Sequence, residues 1–224
     1  MRSTFTLLIL AVSFSLGYSQ TFSFPTLAAN GKTINDFIPK GWFLKDSTAG
    51  DLNGDDLQDV AFVIQLKDSA TELRPDSQLL DSNPRILVIL FNRKTSYALA
   101  VQNNTFVLRE GEGGMVADPY DKINIAESAL NLRFQFTRTW AFYKFMFRSN
   151  SICLVGATSG GSDGNSKIEL WYFDFLTKKA KHTIEPIGAG EQTEERKDIP
   201  FDKLKTLKEL KQPFMWEIFP YVYI

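Results

Sequence analysis

The chain holds one cysteine and one histidine in 224 residues. A structural zinc site usually takes four Cys or His ligands, so that class is excluded. An intrachain disulfide needs two thiols and is excluded as well. A single histidine also leaves little material for a His-based catalytic triad. Charge of one sign is lacking too: 25 Lys+Arg stand against 26 Asp+Glu, a formal net charge of −1. With no basic excess, nucleic acid is not expected as a partner. At 44% hydrophobic residues the composition is that of a globular protein rather than a disordered or collagenous chain.

Long apolar runs are scarce, and the first has a specific reading. Residues 5–14 (FTLLILAVSF) follow Arg2 and precede the small residues Gly17 and Ser19. This run is shorter than the roughly 20 residues that span a bilayer. It fits the apolar core of an export leader, with cleavage before Gln20. Residues 1–19 are therefore assigned to a signal peptide and residues 20–224 to a single β-rich domain. Losing the leader removes one arginine and no acid, leaving a net charge of −2. No later run has transmembrane length without charges, so the expected location is the periplasm or the medium. Cys153 lies in an apolar strand-like run and reads as a small buried hydrophobe. Asn103-Asn104-Thr105 spells a glycosylation sequon, which matters only in a eukaryote.

The rest reads mainly as short strands. Residues 60–64 (VAFVI) and 86–91 (ILVILF) are continuous and rich in β-branched residues, as strands covered on both faces are. Leu132, Phe134 and Phe136 alternate with polar residues, and Trp171, Phe173 and Phe175 share a face, which is the period of two. Residues 159–166 (SGGSDGNS) carry turn formers and predict a long hairpin loop; residues 66–83 predict a polar excursion from the sheet or a mobile loop. Phe201, Leu204, Leu207 and Leu210 recur every third residue between Pro200 and Pro213, which predicts one short C-terminal helix capped by Asp198. The aromatic tail after it predicts a last strand. The fold class is mainly β, antiparallel β-meanders arranged as a propeller-like unit or a sandwich.

One segment carries chemistry. From Asp51, oxygen side chains fall at alternate positions, Asp51, Asn53 and Asp55, followed by the Leu57 carbonyl and then Asp59. A hard cation such as calcium takes six to eight oxygens, and alternating positions in a tight loop can supply them. An EF-hand would place a glutamate at the twelfth position and a helix after it; here Phe62 stands there, inside a strand. The expected calcium ligands are Asp51, Asn53, Asp55, Leu57 and Asp59, between an entering strand at residues 42–44 and a leaving strand at 60–66.

Gly50, Asp51, Asn53, Gly54, Asp55, Asp59 and Val60 make the segment resemble the FG-GAP or VCBS repeat, the calcium loop of integrin-type propellers. Asp56 departs from that pattern, which usually has glycine there. Only one copy is present, over about 15 residues, so the resemblance implies a single calcium loop and no full propeller. More loosely, residues 22–180 are similar to uncharacterised exported bacterial proteins. The shared features are Ile38-Pro39-Lys40-Gly41-Trp42, residues 113–120 (GGMVADPY), Trp140, Phe147-Arg148 and Leu154-Val155-Gly156. That resemblance implies export and a β-rich fold without a known activity.

The leading expectation is an exported, non-enzymatic binding or structural protein with a calcium-stabilised loop. It would act on an unknown protein or glycan ligand in the envelope or outside the cell. The alternative is a hydrolase of glycans or peptides using Glu110, Glu112 and Asp118, which cluster with glycines. A toxin-neutralising or inhibitor role is not separable from the first reading. The leader assignment has a direct check. Expression with export in a bacterial host should yield a chain whose intact mass lacks residues 1–19; an unprocessed mass would refute it.

Overall fold

Apolar runs bounded by turn formers have become the central strands of two antiparallel sheets. The computed structural model describes residues 22–224, and the expected leader with its cleavage point lies outside the described residues. In chain order the strands are β1 (Asn30–Gly31), β2 (Trp42–Gly50), β3 (Asp59–Leu66), β4 (Ala70–Leu73), β5 (Leu79–Ser82), β6 (Arg85–Asn92) and β7 (Tyr97–Asn103). There follow β8 (Tyr120–Ala126), β9 (Ala129–Gln135), β10 (Thr139–Arg148), β11 (Ser151–Ser162), β12 (Lys167–Asp174), β13 (Lys179–Pro186) and β14 (Thr193–Asp198). A terminal pair, β15 (Glu217–Phe219) and β16 (Val222–Tyr223), closes the chain.

The first sheet has the order β1-β7-β6-β3-β2 and the second is a seven-stranded meander, β14-β13-β12-β11-β10-β9-β8. Strands make up 52% of the described residues, so the mainly-β expectation holds. The two sheets share one core, and no barrel closes among the described residues. Ala61, Val63, Leu87 and Ile89 of the first sheet meet Leu130, Leu132, Phe134, Tyr143 and Phe145 of the second. Phe106, from the connection between sheets, stands edge-on to Tyr143 and Phe145, with ring centroids 5.0 and 5.5 Å away. Edge-on contact sets the positive rim of one ring against the negative face of the next.

Strands β3 and β6 are buried on both faces, as their unbroken apolar runs require. Their second face, with Phe62, Ile64, Ile86 and Val88, is covered by Leu27 and Phe37 of the N-terminal segment and by Trp42. At the seam between sheets, side chains of β2 stand in for backbone acceptors. Asp46 accepts from Ile123 N (3.2 Å) and from the Tyr120 hydroxyl (2.8 Å), and Thr48 Oγ1 accepts from Ile125 N (3.0 Å). A bulge between Leu44 and Asp46 turns these side chains toward β8.

Residues 66–83 form the small β4–β5 hairpin, an excursion as expected. The C-terminal helix is not there. Lys205–Leu207 pair instead with β11: Leu207 N donates to Ile152 O, and Leu154 N to Lys205 O, both at 2.8 Å. Strand β12 pairs with β11 only from Gly156 onward, so the earlier part of β11 offers unsatisfied backbone that this segment fills. A single turn, closed by Leu210 N to Thr206 O, is all the helical geometry that remains. Leu207 and Leu210 are buried for the reason the pattern suggested, contact with the core, but by an irregular path. The aromatic tail forms its own two-stranded unit rather than joining a large sheet. Asn103 is buried, its amide donating to the carbonyls of Leu207 (2.7 Å) and Leu210 (3.2 Å), so the sequon is structural. No helix among the described residues is long and apolar enough to cross a membrane.

Leu207 is fully buried although no regular element holds it. Leu207→Ala should therefore cost about 2–5 kcal/mol in urea unfolding, as a core leucine does. A loss below about 1 kcal/mol would show that the C-terminal segment is not part of the cooperative core.

Candidate functional site

The β2–β3 loop is a tight wrap of side-chain oxygens around backbone amides. Gly50 pairs with Asp59 at its base. A Cβ on Gly50 would lie 2.5 Å from Ile125 Cγ2, so packing against β8 demands glycine there. Asp51 Oδ1 accepts from Gly54 N (2.7 Å) and Asp55 N (3.3 Å), and its Oδ2 from Asp56 N (3.0 Å). Asn53 Oδ1 accepts from Asp55 N, and Asp55 Oδ1 from Leu57 N, both at 3.0 Å. Gly54 and Asp56 have φ of 79° and 63°. Asp56 thus takes the left-handed geometry that the repeat pattern gives to glycine, a conformation aspartate tolerates better than most residues.

Asp59 is the buried member. Its Oδ2 accepts from Leu52 N (3.0 Å) and its Oδ1 from Asn92 N (2.9 Å), which ties the loop to β6. Burial pushes its pKa up, and the nearby Asp55 charge adds to that, against the lowering by the two amides. Burial also acts to raise Asp51, but the amides of Gly54, Asp56 and Asp55 outweigh it and hold that carboxyl below its ordinary value. No ion pair among the described residues involves Asp51, Asp55, Asp56 or Asp59. The structure brings the expected ligands into one loop. Among the described residues, however, no three acidic, His or Cys side chains already converge as a metal site. The Asn53 amide instead donates to Asp55 Oδ2 at 3.1 Å. Each carboxylate oxygen that accepts one amide keeps a second lone pair.

The acids of the hydrolytic alternative have other partners. Glu112 binds Arg74 through both oxygens (2.7 and 3.2 Å), accepts from Arg109 N (2.7 Å) and from Gln212 Nε2 (3.1 Å). Asp118 is gripped by Arg85 Nη1 and Nη2 at 2.7 and 2.6 Å, with Lys45 at 3.1 Å. Arg85, Arg74 and Arg109 are all buried, and Arg109 also pairs with Glu72. Glu110 is exposed, and its backbone carbonyl accepts from Ser82. The glycine-rich patch is a joint between sheets rather than a pair of free acids facing a substrate.

A hollow that sequence reasoning missed lies at the far end of the second sheet. Ser159–Ser162, expected as turn, are the end of β11; only residues 163–166 turn. Asp163 holds that turn, accepting from the amides of Asn165, Ser166 and Lys167. These bonds, led by that from the Ser166 hydroxyl, hold its carboxyl well below the ordinary range. The small residues make a floor. On the core-side face Ser159 lies beside Trp171, and Gly161 beside Thr139 and Glu169. The cleft has a volume of about 530 Å³. A broader hollow on the opposite face is lined by Phe142, Tyr172 and basic side chains. Those cations pair with Glu127, Asp198, Glu194 and Glu195.

Gly160-Gly161-Ser162-Asp163-Gly164 spells a G-x-S-x-G nucleophile motif, but not its structure, since a hairpin follows Ser162 and not a helix. Strand alternation puts Ser162 on the face opposite His182. Of the four tryptophans, Trp42 is buried, while Trp140, Trp171 and Trp216 are half-buried. Comparison with protein-family models, with curated proteins and with solved structures finds no match.

The Arg85–Asp118 pair makes stability depend on acid. Burial acts to raise the Asp118 pKa, but the hydrogen bond and charge of Arg85, then those of Lys45, outweigh it, and the carboxyl sits below its ordinary value. Its contribution is complete above its unfolded pKa of about 4 and is lost as pH falls through the lower folded value. Asp118→Asn should therefore flatten the acid limb of the stability curve between about pH 5 and pH 2. Glu112→Gln should lower stability by about 3–5 kcal/mol, because it leaves buried Arg74 only Glu72, 3.9 Å away and shared with Arg109. Equal acid sensitivity in Asp118→Asn, or a neutral Glu112→Gln, would remove the structural role assigned to these acids.

Proposed function

We propose that the protein is an exported, non-enzymatic binding domain, in the periplasm or outside the cell, whose β2–β3 loop is clipped by calcium. The observation that carries the clip is charge without counter-charge. Four carboxylates occupy nine residues, one of them buried, and none has a cationic side chain as partner among the described residues. Like charges held in one loop repel each other unless a cation lies between them. An oxygen-only set of Asp51, Asn53, Asp55, Asp59 and the Leu57 carbonyl suits a hard cation. Calcium there would pin β2 to β3 and, through Asp59 and Asn92, to β6. The apolar leader supports export, and the commitment of Glu112 and Asp118 to buried arginines argues against a hydrolytic pair.

Extracellular calcium modules bind at roughly 0.1–1 mM. At a tenfold excess over Kd, calcium should add about 1.4 kcal/mol to stability. For a domain of this size that is about 3–6 °C in Tm. The measurement is thermal unfolding in EDTA and in millimolar calcium, for the native chain and for Asp55→Ala. The native chain should shift and the variant should not. No shift in the native chain, or the same shift in both, would refute the clip.

A further inference from the structure

The cleft at the end of the seven-stranded sheet sets core-packed aromatics beside small residues. Trp171 lies between Ser159 of β11 and His182 of β13. The His182 ring stacks on the indole at 4.1 Å and 8°. Phe173 and Phe219 lie 5.7 Å from the indole, and Lys197 Nζ is 5.7 Å from a ring centroid. Toward β11 the cross-strand neighbour is the small Ser159, and the cleft lies beside the two. Gly161 keeps the floor low, since a Cβ there would meet Thr139 Cγ2 at 2.7 Å. Phe136 and Phe214, edge-on at 5.6 Å, line the cleft as well.

At the rim stands Glu169. Its Oε1 is 2.8 Å from His182 Nε2 and its Oε2 is 3.4 Å from Lys167 Nζ. Burial works against its charged form, but His182 and Lys167 outweigh that and hold the carboxyl below its ordinary value. An ionised carboxylate only accepts hydrogen bonds, so a ligand must bring donors. Two basic side chains already face it, so a further cation gains little there. An anion would meet Glu169 and Asp163. What remains is a neutral ligand with hydroxyl donors on its edge and an apolar face to lay on the indole.

We propose that this cleft binds a neutral sugar ring, packed against Trp171 where it lines the cleft, with hydroxyls donated to Glu169. Ring faces of C–H groups bury apolar area against the indole, and a hydroxyl on a carboxylate is a charge-assisted bond. The volume falls within the usual range of ligand sites and leaves room for more than one sugar unit. The proposal rests on the reading of the protein as a binding domain and not on the calcium clip.

The test uses the purified protein with cellohexaose, xylohexaose, mannohexaose and maltohexaose, followed by calorimetry and tryptophan emission. Polygalacturonate and tetramethylammonium are the charged controls. At least one neutral hexasaccharide should bind. Trp171→Ala, Glu169→Gln and the cleft-filling Ser159→Phe should each weaken it at least about tenfold, while Tyr172→Ala on the opposite face should not. Circular dichroism identifies variants that stay folded, and Glu169→Gln keeps the proposal testable if Trp171→Ala unfolds. No binding by any of the four at millimolar concentration would overturn the proposal. So would binding that survives Ser159→Phe, or binding of a charged control in preference. Titrations run in EDTA and in calcium separate the two readings. Sugar bound without any calcium shift would sink the clip alone, and a calcium shift without sugar would sink this site alone.

Discussion

Three buried arginines hold the joint on which both sheets depend. Arg85, at the start of β6, donates to Gln65 of the neighbouring strand (2.8 Å), to the Leu108 carbonyl and to Asp118. Arg74, just after β4, reaches Glu112 and the Thr105 carbonyl (3.0 Å). Arg109 pairs with Glu72. Every one of these partners lies in the β2–β6 region or in the connection between β7 and β8. That connection has no regular secondary structure, so its backbone carbonyls need donors from elsewhere. Guanidinium groups supply several from one side chain. A buried ion pair adds little net stability over an apolar substitute, yet removing one partner strands the other. The network therefore serves to set where the second sheet begins.

With the joint set, the core follows. Phe106 to Leu108 are carried inward and become the filling between sheets, against Phe134, Tyr143 and Phe145. The seam from β2 to β8 then closes with Asp46 and Thr48 as acceptors. The C-terminal segment covers what remains of the second sheet's inner face, with Leu207, Ile218 and Ile224 buried. Its Phe214 and Phe219 reach Phe136 and Trp171, and the cleft lies beside them, over the end of β11 and the start of β12.

The parts legible in the sequence were those decided locally. Period-two patterns at β9 and β12, unbroken apolar runs at β3 and β6, and the strand–loop–strand frame around Asp51 to Asp59 all follow from neighbouring residues. The helix expected at residues 201–210 failed because a spacing of three records only that those residues touch the core. The backbone bonds that decided the matter come from β11, about fifty residues away. The ion network was illegible for the same reason. Glu110, Glu112 and Asp118 look like free acids until Arg74 and Arg85, distant in sequence, are brought to them.

Residues 159–162 show how one composition can serve two ends. Ser-Gly-Gly-Ser is a turn signal because small residues allow unusual backbone angles. Neither Gly160 nor Gly161 uses that freedom here, for both lie in extended strand paired on each side. Their smallness is used instead, on alternate faces. Gly160 makes room for Trp140 and Leu170, either of which would lie 2.7 Å from an added Cβ. Gly161, with Ser159, leaves the opposite face hollow beside Trp171. A stretch whose job were only to turn would not need a tryptophan flanking it on each face of the sheet. The signal separating floor from turn was the pattern around it: aromatics at positions 140 and 171, on the two strands that flank β11.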